Sequence, residues 1–509
     1  MLKSNLIALF VILIFIFNSQ ITFLNGEEII KVKKENILCA KESGKKCILH
    51  ITSKSNINEQ NNSLNSPDDD RRNNLSETDS TLLNWKKYSE IIQKYIYKDF
   101  KKMYREKGGN FKYPFLTPGS SYTDQLWDWD SWLSDIALRQ ILTQHGSEND
   151  KKEAVKYEQG CILNFLSYCD IDGWMPIVIQ RKNELSELMK GFLKPKDIYK
   201  ENMHKPCLAQ HAAFLVEMNE GNAEWLREDF SKLQYFINNY RSHDRDRATG
   251  LYFWQTDHYI GGDNDPCTFY RPPRSSGSIF LNSLMYKELK AMAYLAKQLN
   301  YSERSLEYEK DADELKQAIQ KNCWDPRDGS FYSVDLDLLP INNESWELQS
   351  GSPRNYDCLI QRIDVWSDFL PMWAGIATPE QAKRIVEEHY DNIKTFNAPF
   401  GVRTLSKLEK MYSLRASGNP SNWDGPIWGI SNYIVWRGLV KYGFNKEAKE
   451  LAEKTVILFG SDLQKTGTLH EYYDPDNGEP ILHPGFQDWN YLVLNMLAWL
   501  ENGKVVCEY

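Results

Sequence analysis

Apolar side chains recur at helical spacing along most of the chain, from about residue 83 to the C-terminus. In the segment that begins at Trp85, for example, Ile92, Tyr95 and Ile96 fall on one face of a helix. The same period, interrupted by turn-forming residues, predicts about twelve helices. Their ranges are 85–107, 129–145, 151–166, 207–218, 224–240, 278–299, 304–322, 363–376, 379–390, 426–442, 446–459 and 487–501.

This pattern predicts an all-α domain over residues 83–509. Helices that come in pairs, with longer loops between the pairs, favour a toroid of six helical hairpins, an (α/α)6 barrel with long loops around a central funnel. An α-solenoid would also be all-helical, but solenoids repeat with a fixed period, and the sequence has none. Loops on a rigid scaffold commonly carry binding and catalytic residues, so we expect the functional site at the mouth of the funnel.

The residues before this domain divide into two segments. Residues 1–26 contain Lys3 and an apolar run at residues 6–17, which is typical of a secretory signal peptide and too short for an ordinary membrane span. Because the apolar character continues through Leu24, a signal anchor that holds the protein in a membrane is the alternative. Residues 27–82 are polar and charged, which predicts a disordered linker.

A cleaved signal peptide would make the protein secreted or lumenal. The sequons of a glycoprotein are compatible with that location, and they lie at Asn61, Asn74, Asn300 and Asn343. The chain has nine cysteines, an odd number, so at least one of them has no partner within the chain.

The net charge and the motifs of the sequence argue against several classes of function. The net charge of −9 argues against nucleic acid as a partner, because nucleic acid requires a basic surface. No phosphate-binding glycine loop is present. The histidines are scattered and no C-x-x-C occurs, so we expect neither a metal site nor a cofactor.

Four loop segments place carboxyl groups beside aromatic rings. Two of them, residues 125–132 (QLWDWDSW) and residues 422–428 (NWDGPIW), precede predicted helices. The other two are residues 261–266 (GGDNDP) and residues 470–479 (HEYYDPDNGE). Aromatic rings stack on sugar rings, and an apolar setting raises the pKa of a carboxyl group so that it can act as a general acid. We therefore expect a small carbohydrate as the partner.

Each segment also has an explanation that involves no chemistry. Asp128 or Asp130 would cap a helix, the tryptophans would fill the core, and the loop at Asp263 would be an Asx turn. Glycoside hydrolysis needs two carboxyl groups across the scissile bond, and these need not be close in sequence. Spacing does not choose among the loop acids, which are Asp128, Asp130, Asp263, Asp265, Asp424, Glu471, Asp474 and Glu479.

Together and in this order, the four segments resemble the catalytic domain of glycoside hydrolase family 63 and the related trehalase family. The family pattern G-x-D-N-x-P is matched at residues 261–266, and the pattern E-x-Y-x-P-x-x-G-E is matched at residues 471–479. The resemblance implies an (α/α)6 toroid and an inverting mechanism. It also implies that Asp263 is the general acid and that Glu471 is the general base.

The tryptophan-rich segments match the walls of the family's sugar site. The substrate-binding residues that we expect are Gln125, Trp127, Trp129, Asp130, Trp174, Arg181, Trp423, Asp424, Gly425 and Trp428. Among the arginines, Arg181, Arg271, Arg274 and Arg403 are candidates for an anionic aglycone such as glycerate, because a guanidinium pairs with a carboxylate through two hydrogen bonds. A surface role is the alternative for each of them.

Within the family, residues 115–132 resemble the small branch that contains mannosylglycerate and glucosylglycerate hydrolases. We therefore expect an inverting hydrolase that removes an α-linked glucosyl or mannosyl residue from a small glycoside. A processing α-glucosidase or a trehalase is the first alternative. A non-catalytic carbohydrate-binding toroid and a helical scaffold protein are the others, although both predicted catalytic carboxyl groups are present.

Overall fold

The structure is a computed structural model that describes residues 85–182, 197, 199–338, 355–416 and 419–509, together with three strands nearer the N-terminus. These are β1 (Gln20–Asn25), β2 (Glu28–Val32) and β3 (Ile48–Thr52), which form an antiparallel sheet in the order β2-β1-β3. They belong to the compact unit Met1–Asn74, and the helices belong to the unit Leu75–Tyr509. The boundaries predicted for the signal peptide and the linker fall outside the described residues and stay predictions.

Twelve α-helices lie in the described part of the larger unit, and each has a counterpart among the predicted helices. They are α1 (Trp85–Asp99), α2 (Asp128–Gln144), α3 (Glu148–Leu166), α4 (Leu208–Met218), α5 (Phe230–His243), α6 (Ile279–Gln298), α7 (Ser302–Asn322), α8 (Leu370–Ala374), α9 (Pro379–Arg384), α10 (Gly429–Lys441), α11 (Asn445–Thr466) and α12 (Val493–Leu500).

The even-numbered helices form a closed inner ring. Helix α2 packs against α4, α4 against α6, α6 against α8, α8 against α10, α10 against α12, and α12 again against α2. Helices of the outer set pack on this ring, as α7 does on α6 and α11 does on α10. The fold is therefore all-α and has the predicted (α/α)6 toroid architecture.

Burial follows this division between inner and outer helices. On α2, every residue from position 128 to position 142 is buried, including charged side chains that have partners inside the protein. On α7, by contrast, the buried residues are Tyr308, Ala312, Leu315 and Ile319, a single stripe at helical spacing. A helix that is covered on all sides belongs in the inner ring, and a helix with one apolar stripe belongs on its outside.

Helix ends differ from the prediction where distant contacts override local pattern. Helix α1 ends at Asp99 instead of continuing to residue 107, and a 3-10 turn, Phe100–Met103, follows it. The Asp99 carboxylate accepts hydrogen bonds from Tyr491 (2.7 Å) and from Gln487 (2.5 Å) at this point. The range 363–376 contains a 3-10 turn, Trp366–Phe369, followed by the short α8. Helix α11 runs on to Thr466 and ends at Gly467, whose φ of 79° favours glycine.

Short antiparallel strand pairs connect the loops. The paired strands are β4 (Tyr104–Arg105) with β5 (Phe115–Leu116), β6 (Gln125–Trp127) with β7 (Val178–Gln180), β9 (Trp324–Asp325) with β10 (Ser330–Phe331), β13 (Asn397–Ala398) with β14 (Gly401–Val402), and β15 (Ile427–Trp428) with β16 (Tyr472–Tyr473). Strand β11 (Val334–Asp335) pairs with both β8 (Ser276–Gly277) and β12 (Leu359–Ile360). The β6–β7 and β15–β16 pairs border the site described below.

The structure also bears on the cysteines, the sequons and the question of membrane-spanning helices. All seven described cysteines are free thiols, and five of them are buried. The sequon residue Asn300 is exposed in the turn between α6 and α7, whereas Asn61, Asn74 and Asn343 lie outside the described residues. No described helix combines the length and the apolar character that crossing a membrane would require.

Replacing Gly160 in α3 by alanine should destabilise the fold. A Cβ atom at this buried position would lie 1.8 Å from the carbonyl oxygen of Pro114, which is backbone and cannot rotate away. We expect a loss of about 1–3 kcal/mol in the free energy of unfolding, measured by denaturant titration. Lys152→Ala, on the exposed face of the same helix, should change that free energy by less than about 0.5 kcal/mol. Equal unfolding midpoints for the two variants would contradict the close approach.

Candidate active site

A cavity of about 750 Å³ opens where the loops that lead into α2, α6, α10 and α12 meet. It contains both predicted catalytic carboxyl groups and most of the predicted substrate-binding side chains. The predicted residues that line it are Gln125, Trp127, Trp129, Asp130, Asp263, Trp423, Trp428 and Glu471. Residues that are far apart in the sequence thus share one concave site, which is the usual form of a small-molecule site.

Asp263 reaches the cavity from the loop before α6. The loop passes very close to its neighbours at Gly261, where a Cβ atom would lie 3.1 Å from the Trp129 ring, and the φ of 103° there also favours glycine. The Asp263 side chain is half-buried, and burial raises its pKa. Hydrogen bonds from Ser421 and Asn419 oppose this shift, and the charge of Glu471 adds to it. A raised pKa favours the protonated form of the carboxyl group.

The next residue, Asn264, fixes the acid loop to the loop before α10. Its Oδ1 accepts the Trp423 backbone N–H (2.6 Å), and its Nδ2 donates to Asn422 (3.0 Å) and to Asp424 (2.7 Å). Asp265 accepts the Cys267 backbone N–H (3.0 Å) and closes its own turn. The loop is therefore an Asx-type turn, as the sequence allows, and it also holds Asp263 in a fixed position.

Glu471 enters the cavity from the opposite loop, directly before β16. The pairing of Trp428 with Tyr472 places this loop beside the tryptophan-rich segment. Tyr122 donates to the Glu471 carboxylate from 3.3 Å, and His483 makes a short hydrogen bond to it through Nδ1. This hydrogen bond and the negative charge of Glu471 raise the pKa of His483. The contacts orient the carboxylate and favour the imidazolium form of its neighbour.

Tryptophan rings form the inner wall. Trp423 and Trp428 stack with their centroids 4.1 Å apart, and Trp129 lies 6.0 Å from Trp423 and 5.4 Å from Trp489. All four rings are buried, yet each presents an edge or a face to the cavity. Such a wall excludes water and offers apolar surface to a sugar ring.

Asp130 lies deeper, at the first turn of α2. Burial raises its pKa to about 7, and it is hydrogen-bonded to Asp488, whose own pKa is raised well above its usual range by burial and by Asp130. Two buried carboxyl groups in contact cannot both ionise, so the pair holds a proton. Asp130 can therefore either donate or accept a hydrogen bond at the base of the cavity.

Lys205 also lines the cavity and belongs to a buried ion pair. Its Nζ lies 3.0 Å and 3.1 Å from the two carboxylate oxygens of Asp128, and its ammonium group lies 5.2 Å from the centre of the Trp129 ring. Asp128 in turn accepts the backbone N–H of Trp129 (2.8 Å). Asp128 thus accepts a hydrogen bond at the start of α2 and balances the charge of Lys205. It does not line the cavity.

Two predicted substrate-binding residues lie outside the cavity lining. Trp174 is buried at a turn, where its backbone N–H donates to Asp172 (3.0 Å). Arg181 pairs with Asp124 (3.0 Å) and donates to the Glu106 carbonyl (2.9 Å). Arg181 therefore has partners in neighbouring loops that no local pattern reveals, and its contact with a substrate stays a prediction.

Asp424 and Gly425 likewise do not line the cavity. Asp424 accepts the hydrogen bond from Asn264, and burial raises its pKa to about 7. Gly425 has a φ of 141°, and a Cβ atom there would lie 2.5 Å from the Tyr412 ring. Both residues hold the shape of the loop that carries Trp423.

Several lining residues were not predicted. Tyr122 and His483 contact Glu471, Lys205 is paired with Asp128, and Gln180 reaches the cavity because β7 pairs it with Gln125. Others on the wall are Asp257, His258, Tyr259, Phe269, Asn419, Pro420, Ser421, Leu482, Phe486 and Trp489. The only sequence signal for the residues in this last list is that they lie close to one of the four motifs. Ordinary loop residues share that signal.

Glycoside hydrolysis needs two carboxyl groups across the scissile bond, and the end loops of this toroid bring two such groups and a tryptophan wall into one cavity. The family model for the mannosylglycerate hydrolase MGH1-like glycoside hydrolase domain matches residues 123–489. The chain belongs to this family of glycoside hydrolase domains.

Solved structures share the fold. The family 63 mannosylglycerate hydrolase of Thermus thermophilus, in complex with glucose, is 20% identical, with a TM-score of 0.55 over 78% of this chain and 98% of that one. The neutral trehalase Nth1 of Saccharomyces cerevisiae is 17% identical, with a TM-score of 0.54 over 76% of this chain and 73% of that one.

Curated relatives include trehalases. The cytosolic neutral trehalase of Kluyveromyces lactis is 26% identical over 212 residues, which are 40% of this chain and 25% of that protein. A probable trehalase of Eremothecium gossypii is 28% identical over 212 residues, with 40% and 26% of the two chains covered. The match thus spans about a quarter of these relatives.

The contact between His483 and Glu471 can be tested without a substrate. The Glu471→Gln variant should lower the pKa of His483 toward its ordinary value, because the carboxylate that favours the imidazolium is removed. NMR titration of protein with 15N-labelled histidine measures this pKa, and His483→Asn assigns the resonance. An equal pKa in the wild type and in Glu471→Gln would contradict the pairing.

Proposed function

We propose that the protein hydrolyses a small α-glycoside by inversion, releasing a glucosyl or mannosyl residue. The observation that carries this proposal is the placement of Asp263 and Glu471 in one cavity, on loops that belong to different helical hairpins. Inverting glycosidases need two such carboxyl groups with room for a water molecule on the far side of the anomeric carbon.

The two carboxyl groups have different surroundings, which supports different roles. Asp263, whose pKa is raised by burial, donates its proton to the glycosidic oxygen as the bond to the anomeric carbon breaks. Glu471, oriented by Tyr122 and His483, accepts a proton from the water that attacks that carbon from the other face. The proton lost by Asp263 leaves with the aglycone. Glu471 then releases the water proton to solvent and Asp263 takes one up from solvent, so that both carboxyl groups return to their starting states and the cycle balances.

The remaining wall fits the sugar that is being released. Trp129, Trp423 and Trp428 enclose the glycone with apolar surface. Asp130 and Gln125 offer hydrogen bonds to hydroxyl groups, and both line the cavity. The names of the structural neighbours, a mannosylglycerate hydrolase and a trehalase, support a mannosyl or glucosyl unit in this position.

Neutralising either carboxyl group should stop turnover. Asp263→Asn and Glu471→Gln remove the proton donor and the proton acceptor while keeping the size of the side chain. Each should lower kcat by at least about 100-fold, with the circular dichroism spectrum and Tm unchanged. Asp265→Asn is the matched control from the same loop and should keep most of the activity, since Asp265 closes a turn and does not line the cavity. Turnover that survives in Asp263→Asn would sink the assignment of the acid.

The stereochemistry of the product gives an independent test. Attack by water on the face opposite the leaving group converts an α-glycoside into a β-configured sugar. Proton NMR of the first product, recorded before mutarotation, should therefore show the β-anomer. Initial formation of the α-anomer would contradict inversion and would require a covalent intermediate instead.

A further inference from the structure

We infer that Asp488 is a positioning residue that carries the proton of its pair with Asp130 and donates it in a hydrogen bond, which keeps Asp130 an ionised acceptor at the base of the cavity. Asp488 does not line the cavity, so it acts on a substrate only through Asp130, which does. The role toward a sugar rests on the proposed function, whereas the protonation state of the pair exists without any ligand.

The contact between the two carboxyl groups requires a proton. Asp130 and Asp488 are hydrogen-bonded to each other, and an ionised carboxylate can only accept hydrogen bonds. Asp488 is fully buried, and its donors include the Ser134 hydroxyl, 2.9 Å from Oδ1, and the Trp489 backbone N–H. Its Oδ2 is buried as well and has no donor among the described residues. One of the two carboxyl groups is therefore protonated.

The surroundings assign this proton to Asp488. Asp130 lies in the first turn of α2, where the free backbone N–H groups and the helix dipole favour a negative charge. The ammonium group of Lys205 also favours the ionised form of Asp130, and the charge of Asp128 opposes it. Burial raises the pKa of Asp130 to about 7, whereas burial and Asp130 raise the pKa of Asp488 well above its usual range. The pair thus loses its first proton from Asp130 and keeps the second on Asp488.

The backbone at Asp488 is held in an unusual conformation. Its φ is 28°, in the left-handed region that residues other than glycine rarely adopt. Such a conformation persists only where the surrounding structure holds it. Here Gln487 donates to the Asp99 carboxylate (2.5 Å), and Asn490 donates to the His470 carbonyl (2.6 Å). The turn Asp488–Leu492 is thus fixed on both sides of the acid, which presents Asp488 to α2 in one orientation.

An ionised Asp130 is a better acceptor for sugar hydroxyl groups than a protonated one, because hydrogen bonds to a charged acceptor are stronger. Since the pKa of Asp130 is raised to about 7, this acceptor is present above that pH and is lost as the pH falls through it. Affinity for the glycone should therefore increase as the pH rises. The proton of Asp263 is lost in the same direction, so KM and kcat should both fall with rising pH.

A reciprocal pair of amide variants tests which group holds the proton. Infrared difference spectra against the wild type, recorded about one unit above the pKa of Asp130, distinguish protonated carboxyl groups from carboxylates. Asp488→Asn should lose a protonated carboxyl band, and Asp130→Asn should lose a carboxylate band. Ser134→Ala removes a hydrogen bond to Asp488 but keeps both carboxyl groups, so it should lose neither band. The reverse assignment, or a carboxylate band lost in both amide variants, would overturn the inference.

Kinetics of the Asp488 variants test the positioning role. Asp488→Leu removes the donor and keeps a similar volume, so kcat/KM should fall by about ten-fold, mainly through a higher KM. The pH at which KM changes should also move upward, because Asp130 loses a hydrogen bond that favours its ionised form. Asp488→Asn supplies an amide N–H in place of the O–H and should recover most of this loss. The substrate is whichever of trehalose and mannosylglycerate the wild type hydrolyses, and circular dichroism and Tm confirm the fold.

The outcomes separate this inference from the proposed function. An unchanged KM in Asp488→Leu would overturn the positioning role and leave the proposed function standing. A loss in Asp488→Asn as large as that in Asp488→Leu would overturn the role of Asp488 as a donor. If the wild type hydrolysed no glycoside, the proposed function would fail, and the infrared spectra would still decide which carboxyl group holds the proton.

Discussion

The closure of the inner ring by α2 and α12 is the constraint on which the active site depends. The two helices come from opposite ends of the helical unit, and the turn that leads into α12 packs directly against α2. Ser134 of α2 donates to Asp488 across this seam (2.9 Å). Since the seam joins the two ends, Glu471, which precedes α12, shares a cavity with Trp129 at the start of α2. A toroid left open at this point would separate Glu471 from the tryptophan wall.

Closure of the inner ring also gives the carboxyl groups in the cavity different surroundings. Asp130 and Asp488 are pressed together across the seam, where burial forces them to hold a proton. Asp263 is partly enclosed among tryptophans, and the donors that reach it do not cancel the effect of burial on its pKa. Glu471 meets Tyr122 and His483 instead. The carboxyl groups of one cavity thus differ in their burial and in their hydrogen-bond partners.

The sequence was most informative where local rules apply. The helical spacing of apolar residues, together with the turn-forming residues between the segments, located all twelve helices in the part of the chain that the structure describes. The resemblance of two motifs to the family pattern singled out Asp263 and Glu471 among the loop acids, and the structure places both in the cavity. By contrast, Lys205 and His483 owe their positions to contacts between distant loops. The position of Arg181 outside the cavity lining has the same cause, since its pairing with Asp124 is set by tertiary structure.

A shared toroid leaves the choice of leaving group to the loops. One structural neighbour is named for a substrate that carries a carboxylate and another for a neutral disaccharide, yet both superpose on this chain with TM-scores of 0.55 and 0.54. The loops also set the charges of the cavity wall, where Lys205 is paired with Asp128 and His483 is hydrogen-bonded to Glu471. Removing one partner of a buried pair such as Lys205 and Asp128 would leave an uncompensated buried charge, which is strongly destabilising.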